Sequence, residues 1–172
     1  TLSVGSTTIN LTAVNDEAVF SGIPSATSVP RLRTGLSTTL QSLLGSSTPI
    51  SISDDDLSEY SQNGSTRLTL TASNAAIVGL SAGTQSGGAS LTITNSSTWL
   101  VSGTPAQINA LLADPSLGLQ STAGGPVDLT LLVDDGSGAV GATSTTSLTF
   151  QSISDPLVNN SASTGGSALA VT

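Results

Sequence analysis

Cysteine, histidine, methionine and lysine are all absent from this 172-residue chain, and three cations, Arg31, Arg33 and Arg67, stand against eleven acids. Each gap removes a class of chemistry. Without Cys or His there is no zinc or haem ligation, no Cys or Ser–His nucleophile and no disulfide framework. Without Lys there is neither a Schiff base nor a phosphate-binding P-loop. Three arginines cannot neutralise a run of phosphates, so nucleic acid is excluded as a partner. Aromatic side chains stop at Phe20, Tyr60, Trp99 and Phe150. That is too few for an aromatic-lined cleft around a glycosidase carboxylate pair. No apolar run approaches the ~20 residues of a membrane-spanning helix. The chain reads as a protein that is not an enzyme.

What remains is hydroxyl-rich and aliphatic. Ser and Thr form about a third of the residues, far above ordinary usage. Hydrophobic residues make up 37% and the formal net charge is -8. Low charge with regularly spaced Leu, Val and Ile favours strands over a solvated coil. A chain without thiols or thioethers suits exposure to oxidants and proteases outside the cell. It fits a bacterial cell surface or extracellular matrix better than a eukaryotic secretory route, whose modules are usually stapled by disulfides. Position 1 is Thr, and the chain reads as a processed or excised product.

Period-two patterns dominate. In residues 1–14, Ile9 and Leu11 oppose Thr8, Asn10 and Thr12, which predicts a strand. Further strands are predicted around Ile50 and Ile52 and over 67–72, 90–94, 98–101 and 143–153, and a short strand or turn over 76–80. The run VDLTLLV at 127–133 is almost continuously apolar and therefore central. Leu36, Leu40, Leu43 and Leu44 stand at helical spacing and predict a short helix over 37–44, capped by Ser37 and ended by Gly45. A second helix is predicted over 105–113. Thr104 caps it, Pro105 suits its first turn, Gln107 completes a capping box, and Asp114-Pro115 ends it. The sum is an all-β chain, an immunoglobulin- or cadherin-like β-sandwich with one or two short helices.

The acids cluster. Asn15-Asp16-Glu17, Asp54-Asp55-Asp56 with Glu59, and Asp134-Asp135 hold most of them. Linkers and strand-end turns of a sandwich can meet at one pole, where carboxylate oxygens suit Ca²⁺ and its 6–8 flexible oxygen ligands. Asp54, Asp56 and Asp134 are the leading ligands on that reading. The alternative is turn chemistry, because Asp and Asn bond their own backbone, and Asp135-Gly136 also fits a hairpin turn. Trp99 fits a core position or, less well, a sugar-stacking platform.

Several ordered pieces resemble the cadherin-like repeats of large bacterial surface adhesins. Val14-Asn15-Asp16 looks like the linker between repeats. ISISDDD at 50–56 is similar to a strand ending in an aspartate cluster. LVSGTPAQINALLA at 100–113 looks like the family's GT-x-x-Q-I-N-x-x-L helix, and VDLTLLVDDG at 127–136 like its D-x-L-x-x-x-V-x-D-x-G strand and turn. Residues 147–156 look like the closing strand and linker, with Ile153-Ser154-Asp155-Pro156 lacking the family's Asn. The resemblance spans about residues 14–156. It implies calcium between repeats, which rigidifies a rod of like domains.

The expected organisation is an extra strand at 1–14, a sandwich domain over 15–156 and a Ser/Asn/Gly-rich segment at 157–172 ending in a short strand. The expected function is an extracellular structural and adhesive module, stiffened by calcium and stacked head to tail on copies of itself or like domains, with surface glycans as further partners. One alternative is a self-assembling subunit of a filament, S-layer or biofilm matrix, joined by strand exchange through residues 1–14. Another is a carbohydrate-binding module using Trp99 and Tyr60.

Overall fold

Hydrophobic alternation builds the larger of two layers in a computed structural model that describes residues 18–24, 31–45, 48–53, 66–136 and 143–153. In β5 (Thr66–Ala72), Leu68, Leu70 and Ala72 turn inward while Arg67, Thr69 and Thr71 turn out. β11 (Gly125–Asp134) sends Val127, Leu129, Leu131 and Val133 to the same side. β12 (Thr143–Ile153) adds Leu148 and Phe150, and β9 (Thr98–Gly103) adds Trp99 and Val101. With β2 (Arg31–Arg33), β8 (Ser90–Asn95) and β7 (Gly83–Thr84) these strands form a seven-stranded sheet in the order β2-β12-β11-β5-β9-β8-β7. Every pairing in it is antiparallel except β2 with β12.

β3 (Ser37–Thr39), β10 (Gly118–Ser121) and β6 (Ala75–Val78) form a second, three-stranded sheet with β10 in the middle. It packs on the first: Leu40, Ile77, Leu117 and Leu119 meet Leu70 and Leu129. β1 (Val19–Ser21) and β4 (Ser51–Ser53) form a two-stranded ribbon at the side. The chain crosses between layers after β2, where Thr34 bridges to Ser121. The buried aliphatic and aromatic side chains form one core, so the fold is an all-β sandwich as the periodicity predicts.

Among the described residues, two helices interrupt the strands. α1 (Leu40–Leu44) is shorter than the predicted 37–44. Residues 37–39 are instead strand β3, paired with Gly118, Leu119 and Gln120. The β-branched Thr38 and Thr39 favour that extended backbone. The cap accordingly moves to Thr39, whose side chain accepts from the Ser42 amide, while Gly45 closes the helix in the left-handed region.

α2 (Pro105–Leu112) forms as predicted, one residue shorter. Thr104 Oγ1 accepts from the Gln107 amide at 3.3 Å, and Gln107 Oε1 accepts from the Thr104 amide at 2.8 Å. Ile108, Leu111 and Leu112 are its buried face. The helix lies close on Gly87, Gly88 and Gly103, where a Cβ would come within 2.6–2.8 Å of Ala110 or Gln107. No helix among the described residues is long and apolar enough to cross a membrane.

Candidate functional site: an acidic pole

The three acidic clusters adjoin strand ends that lie together. β1 starts just after Asn15-Asp16-Glu17, and β4 stops just before Asp54-Asp55-Asp56. Val19 at the start of β1 pairs with Ser53 at the end of β4. Ala18, Val19 and Phe20 face Ser144, Thr145 and Thr146 across a shallow groove. The preceding residue, Thr143, pairs with Asp134 at the end of β11. Four strand ends thus share one pole of the sandwich. Asn15, Asp16, Glu17, Asp54, Asp55, Asp56, Glu59 and Tyr60 themselves lie outside the described residues, as do the segments 1–14 and 157–172. Among the described residues no group of three or more acidic side chains gathers as a metal site.

Asp134 and Asp135 are described, and they differ. Asp134 Oδ1 accepts from the Gly136 amide at 2.8 Å, the turn-forming bond expected of an Asp at this position. Its neighbour across the ladder is Arg67. Asp135 is only 2% exposed. It follows directly on Asp134, whose pairing with Arg67 ends the β11–β5 ladder, and Thr66 precedes Arg67 on β5. Thr66 is fully buried, and its hydroxyl has no hydrogen-bond partner among the described residues. Such a group costs free energy unless something ligates it. A buried carboxylate and a buried hydroxyl at the ends of adjacent strands are oxygen donors of the type that hard divalent cations take.

Asn109, the Asn of the GT-x-x-Q-I-N-x-x-L motif, is a positioning residue whose role the motif does not reveal. From the middle of α2 its Oδ1 accepts from the Ile52 amide at 2.8 Å, and its Nδ2 donates to the Ile52 carbonyl at 2.9 Å. One amide side chain thus imitates a neighbouring strand on the outer edge of β4. It fixes the backbone two residues before Asp54.

The remaining candidates have structural roles. Trp99 is 2% exposed, paired between Leu70 and Ile93, and its indole N–H has no partner among the described residues. A ring so buried presents no face for a sugar. Asp128 lies on β11 with both oxygens taken: Thr149 Oγ1 donates to Oδ1 at 2.6 Å and Ser73 Oγ to Oδ2 at 3.3 Å. No protein-family model and no curated protein matches the sequence.

Proposed function

We propose that the chain is an extracellular structural module of a bacterial surface or matrix protein, whose acidic pole binds Ca²⁺ and so stiffens the junction between successive like domains. The observation that carries this reading is the convergence of the strand ends beside all three acidic clusters, with buried Asp135 and the orphan Thr66 hydroxyl at the same pole. Carboxylates gathered at one pole repel one another. A divalent ion between them reverses the sign of that interaction and orders the linkers that supply its ligands. The helix motif supports the cadherin-like part of the reading, since Thr104, Gln107 and Asn109 each make a defined bond. The absence of thiols and thioethers supports the extracellular part.

Calorimetry in EDTA and in excess Ca²⁺ tests it. Ion at 100 times its dissociation constant adds about 2.7 kcal/mol. For a chain of this size that raises Tm by roughly 5–11 °C. An unchanged Tm, together with no heat of Ca²⁺ binding, refutes the calcium reading.

A further inference from the structure

The seven-stranded sheet has two long strands whose outer sides are only partly covered. β8 is paired outside only at Ser90 and Leu91, by the two-residue β7. β12 is paired outside only at Gln151, Ser152 and Ile153, by β2. From Thr143 to Phe150 no described strand covers its outer edge. The two edges differ in a way that matters for association. Proteins blunt open edges with bulges, prolines, charges or very short strands, because unpaired N–H and C=O groups recruit another strand. β8 has such a guard, a register break between Ile93 and Asn95. β12 keeps an unbroken register with β11 over its whole Gly125–Ser152 to Asp134–Thr143 ladder. It holds no proline or glycine, and no charged residue occurs anywhere between Asp135 and Asp155.

We propose that the Thr143–Phe150 edge of β12 pairs antiparallel with the same edge of a second copy, joining two seven-stranded sheets into one continuous sheet about a two-fold axis. The edge is self-complementary. Thr145, Ser147 and Thr149 face outward, and Leu148 and Phe150 face the core. Opposed side chains in an antiparallel pair lie on the same face. An axis at Ser147 therefore sets Thr145 against Thr149 and Ser147 against itself, and an axis at Thr146 sets Thr145 against Ser147. Either register stacks hydroxyl on hydroxyl outside, a favourable cross-strand combination.

The charge distribution also singles out a second copy. A chain of net charge -8 repels itself almost everywhere, and least along an uncharged strand. Among the described residues, the acids of the adjoining strand, Asp128 and Asp134, sit one strand in on β11. In the paired sheet, β11 of one copy lies three strand spacings from β11 of the other, about 14 Å. That exceeds the ~8 Å screening length at physiological salt. An incoming strand also covers Val19, which is 60% exposed on the far wall of the groove beside Ser144–Thr146. This contact is lateral, so it joins modules side by side. It does not rest on the calcium reading.

The absence of cysteine makes the test clean. Single-cysteine variants of the full chain, Thr145→Cys, Thr146→Cys, Ser147→Cys and Thr149→Cys, with Thr69→Cys and Thr92→Cys as controls, are oxidised and run on non-reducing gels. The expected result is a covalent dimer strongest at position 146 or 147 and absent at 69 and 92. Sedimentation should show a concentration-dependent dimer in EDTA as well as in Ca²⁺, weakened at least tenfold by Thr145→Lys with Thr149→Lys. Thr92→Lys should leave it unchanged. Circular dichroism and Trp99 emission establish that each variant is folded, and the cysteine map decides the matter if the lysine variant is not. A monomer at every concentration overturns the proposal. So does a dimer indifferent to the lysines, or cross-linking of Ser147→Cys to a Leu11→Cys chain in place of itself.

Discussion

Replacing Asn109 with alanine removes both bonds that hold the outer edge of β4. Ile52 is buried and pairs with Phe20 of β1 on its other side. Its amide and carbonyl point instead to the Asn109 side chain, at 2.8 and 2.9 Å. After truncation both groups lose their partner. An orphaned buried polar group costs about 1–3 kcal/mol. These contacts are part-buried, so some water reaches them and the lower half of that range applies to each. The expected loss is about 2–4 kcal/mol, or a fall in Tm of roughly 4–16 °C at this chain length. Asn109→Asp keeps the acceptor and loses the donor, and should show about half the loss. Urea unfolding with a constant m-value measures both variants. Amide exchange supplies a local check: Ile52 should be protected in the parent and exchange rapidly in Asn109→Ala. A variant within ~0.5 kcal/mol of the parent, with Ile52 still protected, refutes the claim that this side chain stands in for a strand.

Thr66→Val removes an orphan hydroxyl at nearly constant volume and should raise stability in EDTA by about 1 kcal/mol. The same variant should shrink the Ca²⁺-induced rise in Tm; an undiminished rise excludes Thr66 as a ligand. Gly79→Ala should cost more than about 3 kcal/mol, because φ is +103° there and a Cβ would overlap the Ser116 carbonyl oxygen. A soluble Gly79→Ala protein with parental Tm would contradict that packing. Gln107→Ala breaks the capping box and should cost about 1 kcal/mol in urea unfolding. Trp99, the single tryptophan, should emit in the blue and resist acrylamide quenching until the fold melts. Quenching in the native state would show that the ring is accessible.

Local chemistry is what the sequence displays well. α2 was legible because its cap, proline and apolar face all lie within ten residues of one another. β5, β11 and β12 were legible because long alternating runs overwhelm turn propensity. Residues 37–39 were misread as helix because their strand partners, Gly118–Gln120, are distant in the chain. The same distance hides β10 itself, a four-residue strand containing a glycine. The Arg-Leu-Arg of β2 offers a single apolar residue and no period to detect. At the pole, the Asp pair was visible as composition, but its division of labour was not. Asp134 bonds its own turn while Asp135 is buried, and that shows only in the folded chain. Asn109 stands in the helix motif, but its bond to β4 is not legible there, since its partner Ile52 lies 57 residues away.

The one parallel pairing in the large sheet, β2 on β12, has a mechanical consequence. Arg31, Leu32 and Arg33 run in the same direction as Gln151, Ser152 and Ile153. Tension that enters the chain before β2 and leaves it after β12 pulls these two strands in opposite senses along their common axis. Their hydrogen bonds are then strained together in shear, and cannot be opened one at a time like a zip. Thr34 extends this clamp by bonding the Ile153 carbonyl and bridging to Ser121 in the other layer. A pull on the module is thereby shared by both sheets before the core between them is exposed.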